Sequence, residues 1–121
     1  VKSAEKYIGT PYKFGGNTVK GLDCSGLIYN IFQDLGKPIA RVSYQQAELF
    51  QEVKLANIKI GDLVYFKINS TKINHTGIVS KIITHDNIKF IHASTSKGVV
   101  EDNLLSNYWK KYLIKITRPS F

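Results

Sequence analysis

Cysteine is nearly absent from this chain: 121 residues contain one, Cys24. One cysteine excludes an intramolecular disulfide and the paired-cysteine spacing of zinc fingers, and it leaves a lone thiol whose reactivity becomes the question. Methionine is missing altogether, even at position 1, and no signal peptide opens the sequence at Val1-Lys2-Ser3. The chain therefore reads as a processed form or an excised domain, with any targeting segment outside it. No apolar run approaches the roughly 18 residues of a membrane span, which excludes a transmembrane helix. Acidic residues are scarce, 9 against 17 lysines and arginines, for a net charge of +8. No low-complexity segment, internal repeat or linker interrupts the sequence, so residues 1–121 are expected to form a single domain with one core.

The excess of positive charge implies attraction to something anionic: nucleic acid, a membrane surface or a charged polymer. The lysines are scattered along the chain rather than gathered in one run, and no nucleic-acid-binding signature is present.

Periodicity divides the chain. Ala4, Tyr7 and Ile8 mark one side of a short helix over residues 1–9 that stops at Gly9 ahead of Pro11. Thr10 to Gly21 is a loop, rich in glycine at Gly15, Gly16 and Gly21. Asp23 fits the N-cap of a helix starting near Cys24, in which Leu27, Ile28, Ile31, Phe32 and Leu35 repeat with helical spacing. Gly36 and Pro38 end it. A second helix is expected from Ser43, as its cap, to Gln51, with Ala47, Leu49 and Phe50 as its apolar face. From Ile60 onward the pattern turns to strands: Leu63 to Phe66 covered on both faces, His75 to Ile83, a turn at His85-Asp86-Asn87, Ile88 to Ser94, a short piece at Val99-Val100, and Leu113 to Thr117. Leu104 to Lys111 reads as a helical turn carrying Tyr108 and Trp109. Helices first and antiparallel strands second indicate an α+β fold, with helices packed on one side of the sheet.

A cysteine in the first turn of a helix feels the positive end of the helix dipole, which favours thiolate over thiol. A cysteine nucleophile needs a base, and the base needs a group that orients its ring. Of the three histidines, His75 opens one strand and His92 lies in the next, so antiparallel pairing can set them side by side with Cys24 presented by the packed helix. His85 falls in a turn that points away and reads as a surface residue. The same three residues also make a possible Cys-His-His zinc set. No pair of them shows the short spacing of the common zinc motifs, so neither metal nor other cofactor is expected.

Taken together, Asp23-Cys24-Ser25-Gly26-Leu27-Ile28, His75-Thr76-Gly77-Ile78-Val79 and Ile91-His92-Ala93 resemble the NlpC-type cell-wall peptidases, papain-like cysteine endopeptidases of bacterial peptidoglycan. Gly9-Thr10-Pro11-Tyr12-Lys13-Phe14-Gly15-Gly16, Arg41-Val42-Ser43-Tyr44-Gln45-Gln46 and Gly61-Asp62-Leu63-Val64-Tyr65-Phe66 extend the likeness along nearly the whole chain, with Val42 where the family usually has Thr. The resemblance implies a papain-like fold in which Cys24 is the nucleophile, His75 the base and His92 the residue that orients it. It further implies that Tyr12 lines the pocket and that Asp23 and Ser25 help bind the stem peptide; Asp23 as a pure helix cap is the competing reading. Arg41 and Gln46 lean toward packing. The implied substrate is a peptidoglycan stem peptide, cut between D-glutamate and a diamino acid, in an extracytoplasmic setting where an anionic cell-wall polymer suits the basic surface. A monomer, with no nucleic-acid partner, completes the expectation. An amidase, an acyltransferase and a non-catalytic wall-binding module are the alternatives.

Overall fold

The computed structural model describes residues 2–12, 17–18, 21–37, 39 and 41–119. The glycine pair Gly15-Gly16 and the helix-ending Pro38 lie outside them. The expected α+β architecture is present. A six-stranded sheet, every neighbouring pair antiparallel, runs in the order β3 (Gln51–Glu52), β8 (Leu113–Arg118), β4 (Leu63–Phe66), β5 (His75–Thr84), β6 (Asn87–Ser94), β7 (Gly98–Asn103). A two-stranded ribbon, β1 (Asn17–Thr18) with β2 (Gly21–Leu22), leads into the main helix α2 (Cys24–Asp34). Three short α-helices, α1 (Lys2–Glu5), α3 (Ser43–Gln46) and α4 (Asn107–Tyr112), and a 3-10 turn at Leu55–Asn57 complete the elements among the described residues.

Both ends of α2 are set locally. The Asp23 carboxylate accepts the Gly26 N–H at 2.6 Å, satisfying one of the first-turn donors that a helix leaves unpaired. At the other end Gly36 takes the left-handed conformation at φ 71°, Gly36 N–H donates to the Gln33 carbonyl and Lys37 N–H to the Phe32 carbonyl, the paired bonds of a glycine-terminated helix. Between them Leu27, Ile28, Ile31 and Phe32 are buried against Leu63, Tyr65, Ile78, Ile91 and Ala93 of the sheet. Each such side chain contributes about 1.5–3 kcal/mol relative to exposure.

The other face of the sheet carries a second core of Val64, Phe66, Val79, Ile88, Phe90, Leu104 and Ile116, flanked by Trp109, Tyr112 and Leu113. With cores on both sides, β4 is buried at all four residues, as a continuous apolar run requires. At its start Asp62, itself buried, receives two hydrogen bonds from the Arg118 guanidinium at 3.0 and 2.9 Å and one from the Lys59 N–H, fixing β8 beside β4.

Several local expectations are corrected. Ile8 and Leu35 are exposed: Ile8 sits in a turn after α1 ends, and Leu35 is the C-cap of α2, where the helical stripe has already run out. The helix from Ser43 stops at Gln46, and its N-cap is Val42 rather than Ser43, whose hydroxyl instead donates to the Ile73 carbonyl at 3.4 Å. Of its expected apolar face, Ala47 is buried and Phe50 half-buried, while Leu49 is exposed. The Val99-Val100 piece is a full six-residue strand, and β3 and a 3-10 turn at Leu55–Asn57 were not anticipated.

Candidate active site

Cys24 occupies the first position of α2, where the Asp23 cap ends. That turn is held from behind. Gln46, fully buried, donates its side-chain amide to the Ser25 carbonyl at 3.1 Å. The Arg41 guanidinium donates to Ser25 Oγ at 2.8 Å and pairs with the Asp23 carboxylate at 3.1 Å. The segment ahead of the helix is tethered to the β6–β7 turn: Gly98 lies at φ 74°, where a side chain would run into the Thr10 carbonyl, and Val99 N–H donates to that carbonyl at 2.8 Å. Tyr12 follows two residues on, half-buried beside Cys24.

The histidines meet as antiparallel pairing dictates. Ile78 pairs with Ile91, so Gly77 lies opposite His92 and His75 stands two residues further along the same face. Gly77 has to be glycine: a Cβ there would lie 2.7 Å from the Phe90 ring and 3.2 Å from His92 Cβ. His75 Nε2 then lies 3.0 Å from His92 Nδ1. Behind it His92 Nε2 lies 2.7 Å from Asp102 Oδ2, because β7 places Asp102 opposite Phe90, diagonal to His92. Aromatic rings hold the two imidazoles in place. Trp109 stacks on His75 at 5.3 Å and meets His92 edge-on at 4.6 Å, while Phe90 stacks on the other side of His92 at 4.4 Å.

One part of the expected convergence is corrected. α2 packs on the face of Leu63 and Tyr65, whereas the imidazoles project on the face of Phe66 and Phe90. Cys24 therefore faces the start of β5 rather than the sheet surface: its thiol donates to the carbonyl of Asn74, at 3.7 Å. Cys24 and His75 line one cleft of about 510 Å³ together with Tyr12, Asn74, Ser94, Lys97, Asp102 and Trp109, while His92, with no exposed surface, lies behind His75. A second cavity of about 440 Å³ touches Cys24 from the other side and is lined by Tyr12, Asp23, Ser25 and Arg41. Cys24 and Tyr12 border both, so an extended chain crossing the sulfur has room on either side. His85 is exposed in the β5–β6 turn.

The electrostatics differ from the helix-dipole expectation. Burial, together with the Asp23 carboxylate, pushes the Cys24 thiol up to about 11, against the smaller opposing pull of N–H groups of Thr76, Ser25 and Cys24 itself. Burial and the neighbouring His92 push His75 down to about 3, and burial also lowers His92 despite the Asp102 carboxylate. Both shifts favour thiol over thiolate and neutral over protonated imidazole, the reverse of what the helix N-terminus alone would do. Burial raises Tyr12 as well, helped by Cys24 and Asp23. The 3.0 Å approach of His75 to His92 is a hydrogen-bond distance that occupies one nitrogen of each ring. Among the described residues no three His, Cys, Asp or Glu side chains group to hold a metal.

Residues 9–118 match the profile of the NlpC/P60 family. This chain belongs to the NlpC/P60 family. It is 40% identical over 104 residues to the murein DD-endopeptidase MepS/murein LD-carboxypeptidase of Escherichia coli strain K12, covering 85% of this chain and 52% of that protein. It is 43% identical over 121 residues to the gamma-DL-glutamyl hydrolase of Bacillus subtilis strain 168, covering 98% of this chain and 28% of that one. A crystal structure of an NLP/P60-family protein similar to lipoprotein, from Staphylococcus aureus subsp. aureus Mu50, superposes with a TM-score of 0.82 at 33% identity, over 97% of this chain and 39% of that one. The chain thus spans about half or less of the length of these relatives. The fold of this NlpC/P60 domain is the papain-like α+β arrangement. No helix among its described residues is long and apolar enough to cross a membrane.

Asp102 is the site residue that the sequence reading missed. Its signal was the strand at Val99-Val100: carried two residues further and paired with β6, that strand sets Asp102 on the face of His92.

Proposed function

We propose that this NlpC/P60 domain is an extracytoplasmic cysteine peptidase of bacterial peptidoglycan, with Cys24 as nucleophile, His75 as base and His92 as the residue that orients it. The observation that carries the reading is the shared cleft, lined by the chain's only thiol and by an imidazole whose Nε2 is already engaged by a second imidazole. Substrate enters across Cys24, with the acyl portion on one side of the sulfur and the leaving amine on the other.

From the neutral resting pair, His75 takes the thiol proton as the sulfur attacks the peptide carbonyl, so charge is created only when there is a carbonyl to receive it. The carbonyl oxygen becomes an oxyanion, for which the backbone N–H of Cys24 at the helix N-terminus is a natural donor. His75 gives its proton to the departing amine, the C–N bond breaks and a thioester remains. Water then adds to the thioester, His75 accepts its proton and returns it to sulfur, and the carboxylic product leaves.

Tyr12, Asp23 and Ser25 border the second cavity and form the stem-peptide side of this reading. Asp23 has two roles there, since it caps α2 and pairs with Arg41, a bond that a substrate ammonium has to share. The bond proposed is that between the γ-carboxyl of D-glutamate and the diamino acid. The gamma-DL-glutamyl hydrolase relative favours that bond, and the DD-endopeptidase relative offers the competing one. The net charge of +8 suits an anionic wall.

The deciding experiment is digestion of purified peptidoglycan, with fragment masses read by mass spectrometry. The parent protein is expected to release stem-peptide fragments, and Cys24→Ala and His75→Ala to lower release at least about a thousandfold. Equal release by Cys24→Ala overturns the proposal, and fragment masses that place the cut elsewhere overturn the bond assignment.

A further inference from the structure

We infer that Asp102 is a positioning residue which sets the direction of the hydrogen-bond chain behind the nucleophile, and thereby chooses which nitrogen of His75 is bare. This rests on the reading of Cys24 and His75 as nucleophile and base.

The argument follows donors and acceptors. A carboxylate has acceptors only, and a neutral imidazole carries a single N–H. His92 Nε2 lies 2.7 Å from Asp102 Oδ2, so the one proton of His92 has to sit on Nε2. His92 Nδ1 is then a lone pair, and the only bond it makes with His75 Nε2, 3.0 Å away, is one donated by His75. The proton of His75 is thereby held on Nε2, and its Nδ1 is left bare as the atom that takes the thiol proton. Reversed, the chain would put the proton on His75 Nδ1 and leave the base with nothing to accept it. His92 by itself does not fix the direction, because an imidazole donates from either nitrogen; the end of the chain does.

The surroundings hold the chain in line. His92 is fully buried between the Phe90 ring and Trp109, and among the described residues Asp102 is the charged group paired with it. Asp102 is 40% exposed and borders the cleft. Its carboxylate therefore remains solvated on one side while it anchors a ring that water does not reach.

Asp102→Asn tests this, because an amide presents either an oxygen or an N–H and no longer imposes a direction. Ring 15N NMR of the parent is expected to show His75 and His92 each as a single Nε2–H tautomer. In Asp102→Asn both are expected as mixtures, kcat on purified peptidoglycan falls at least about tenfold, and KM stays within about twofold, since the residue acts on the base and not on substrate. Asp102→Glu keeps an acceptor-only end and is expected to restore the single tautomer. Unchanged tautomers in Asp102→Asn with kcat within twofold of the parent overturn the assignment. The ring spectrum needs no turnover. A parent protein with the expected tautomers and no wall cleavage would therefore count against the peptidase reading alone, and an active parent with an indifferent Asp102→Asn against this inference alone.

Discussion

The two faces of the sheet are built from different residues and do different work. On one, aliphatic side chains of α2 meet Leu63, Ile78, Ile91 and Ala93, and the outcome is a rigid support for a helix whose tip carries sulfur. On the other, among the described residues, no long helix covers the strands, and Phe66, Phe90 and Trp109 take its place around two imidazoles. Aliphatic packing needs only volume and can tolerate some rearrangement. Flat rings have to be stacked, and stacking fixes the plane of a histidine as well as its position. Cys24 is thus held by a helix axis and His75 by aromatic surfaces, and both border one cleft at the start of β5.

Substitutions on the two faces should separate stability from chemistry. Leu27→Ala, on the helix-covered face, is expected to lower unfolding free energy by about 2–5 kcal/mol, since the rigid surroundings close only partly on the cavity. Trp109→Ala, on the aromatic face, is expected to reduce kcat about tenfold or more by freeing His75, with a smaller loss of stability because Trp109 is only partly buried. Chemical denaturation and wall digestion on both variants check this. A Trp109→Ala protein with parental kcat would break the contrast between the faces.

The charge states of the pair give a pH test of moderate size. Folded His75 stays neutral down to about 3, while the unfolded chain takes up its proton at the ordinary 6.5, so the unfolded state binds more protons between those values. Stability conferred by the neutral ring is therefore lost as pH falls from about 6.5 towards 3, and His75→Asn should show a shallower fall of melting temperature over that range. The thiol, raised to about 11, should react with iodoacetamide at a rate that climbs through the alkaline range. A reaction already at its plateau below pH 6 would mean a resting thiolate–imidazolium pair and would sink the neutral-pair account.

The smallest effect belongs to the third histidine. His85→Ala, exposed in the β5–β6 turn, should leave melting and digestion unchanged, within about 0.5 kcal/mol. A clear loss of activity there would extend the site to the far end of the sheet.

Much of this arrangement was legible from residue order. The helical spacing of Leu27, Ile28, Ile31 and Phe32, the cap at Asp23 and the stop at Gly36 are short-range signals, and local backbone energetics decide them. The pairing of His75 with His92 followed from strand alternation across one turn. Ser43 misled because a hydroxyl ahead of an apolar stretch looks like a cap whether or not the carbonyl of Ile73 is there to claim it.

Sequence by itself determined the main helix, the central strands, the one candidate thiol and the two histidines worth pairing with it, because those depend on side-chain period and residue type. Only the tertiary structure decided that the imidazoles stand on the face away from α2, that burial pushes the thiol up rather than down, and that Asp102 stands behind His92. Each of those depends on which distant groups exclude water from the site, and dehydration is set by packing between segments that lie far apart in the sequence.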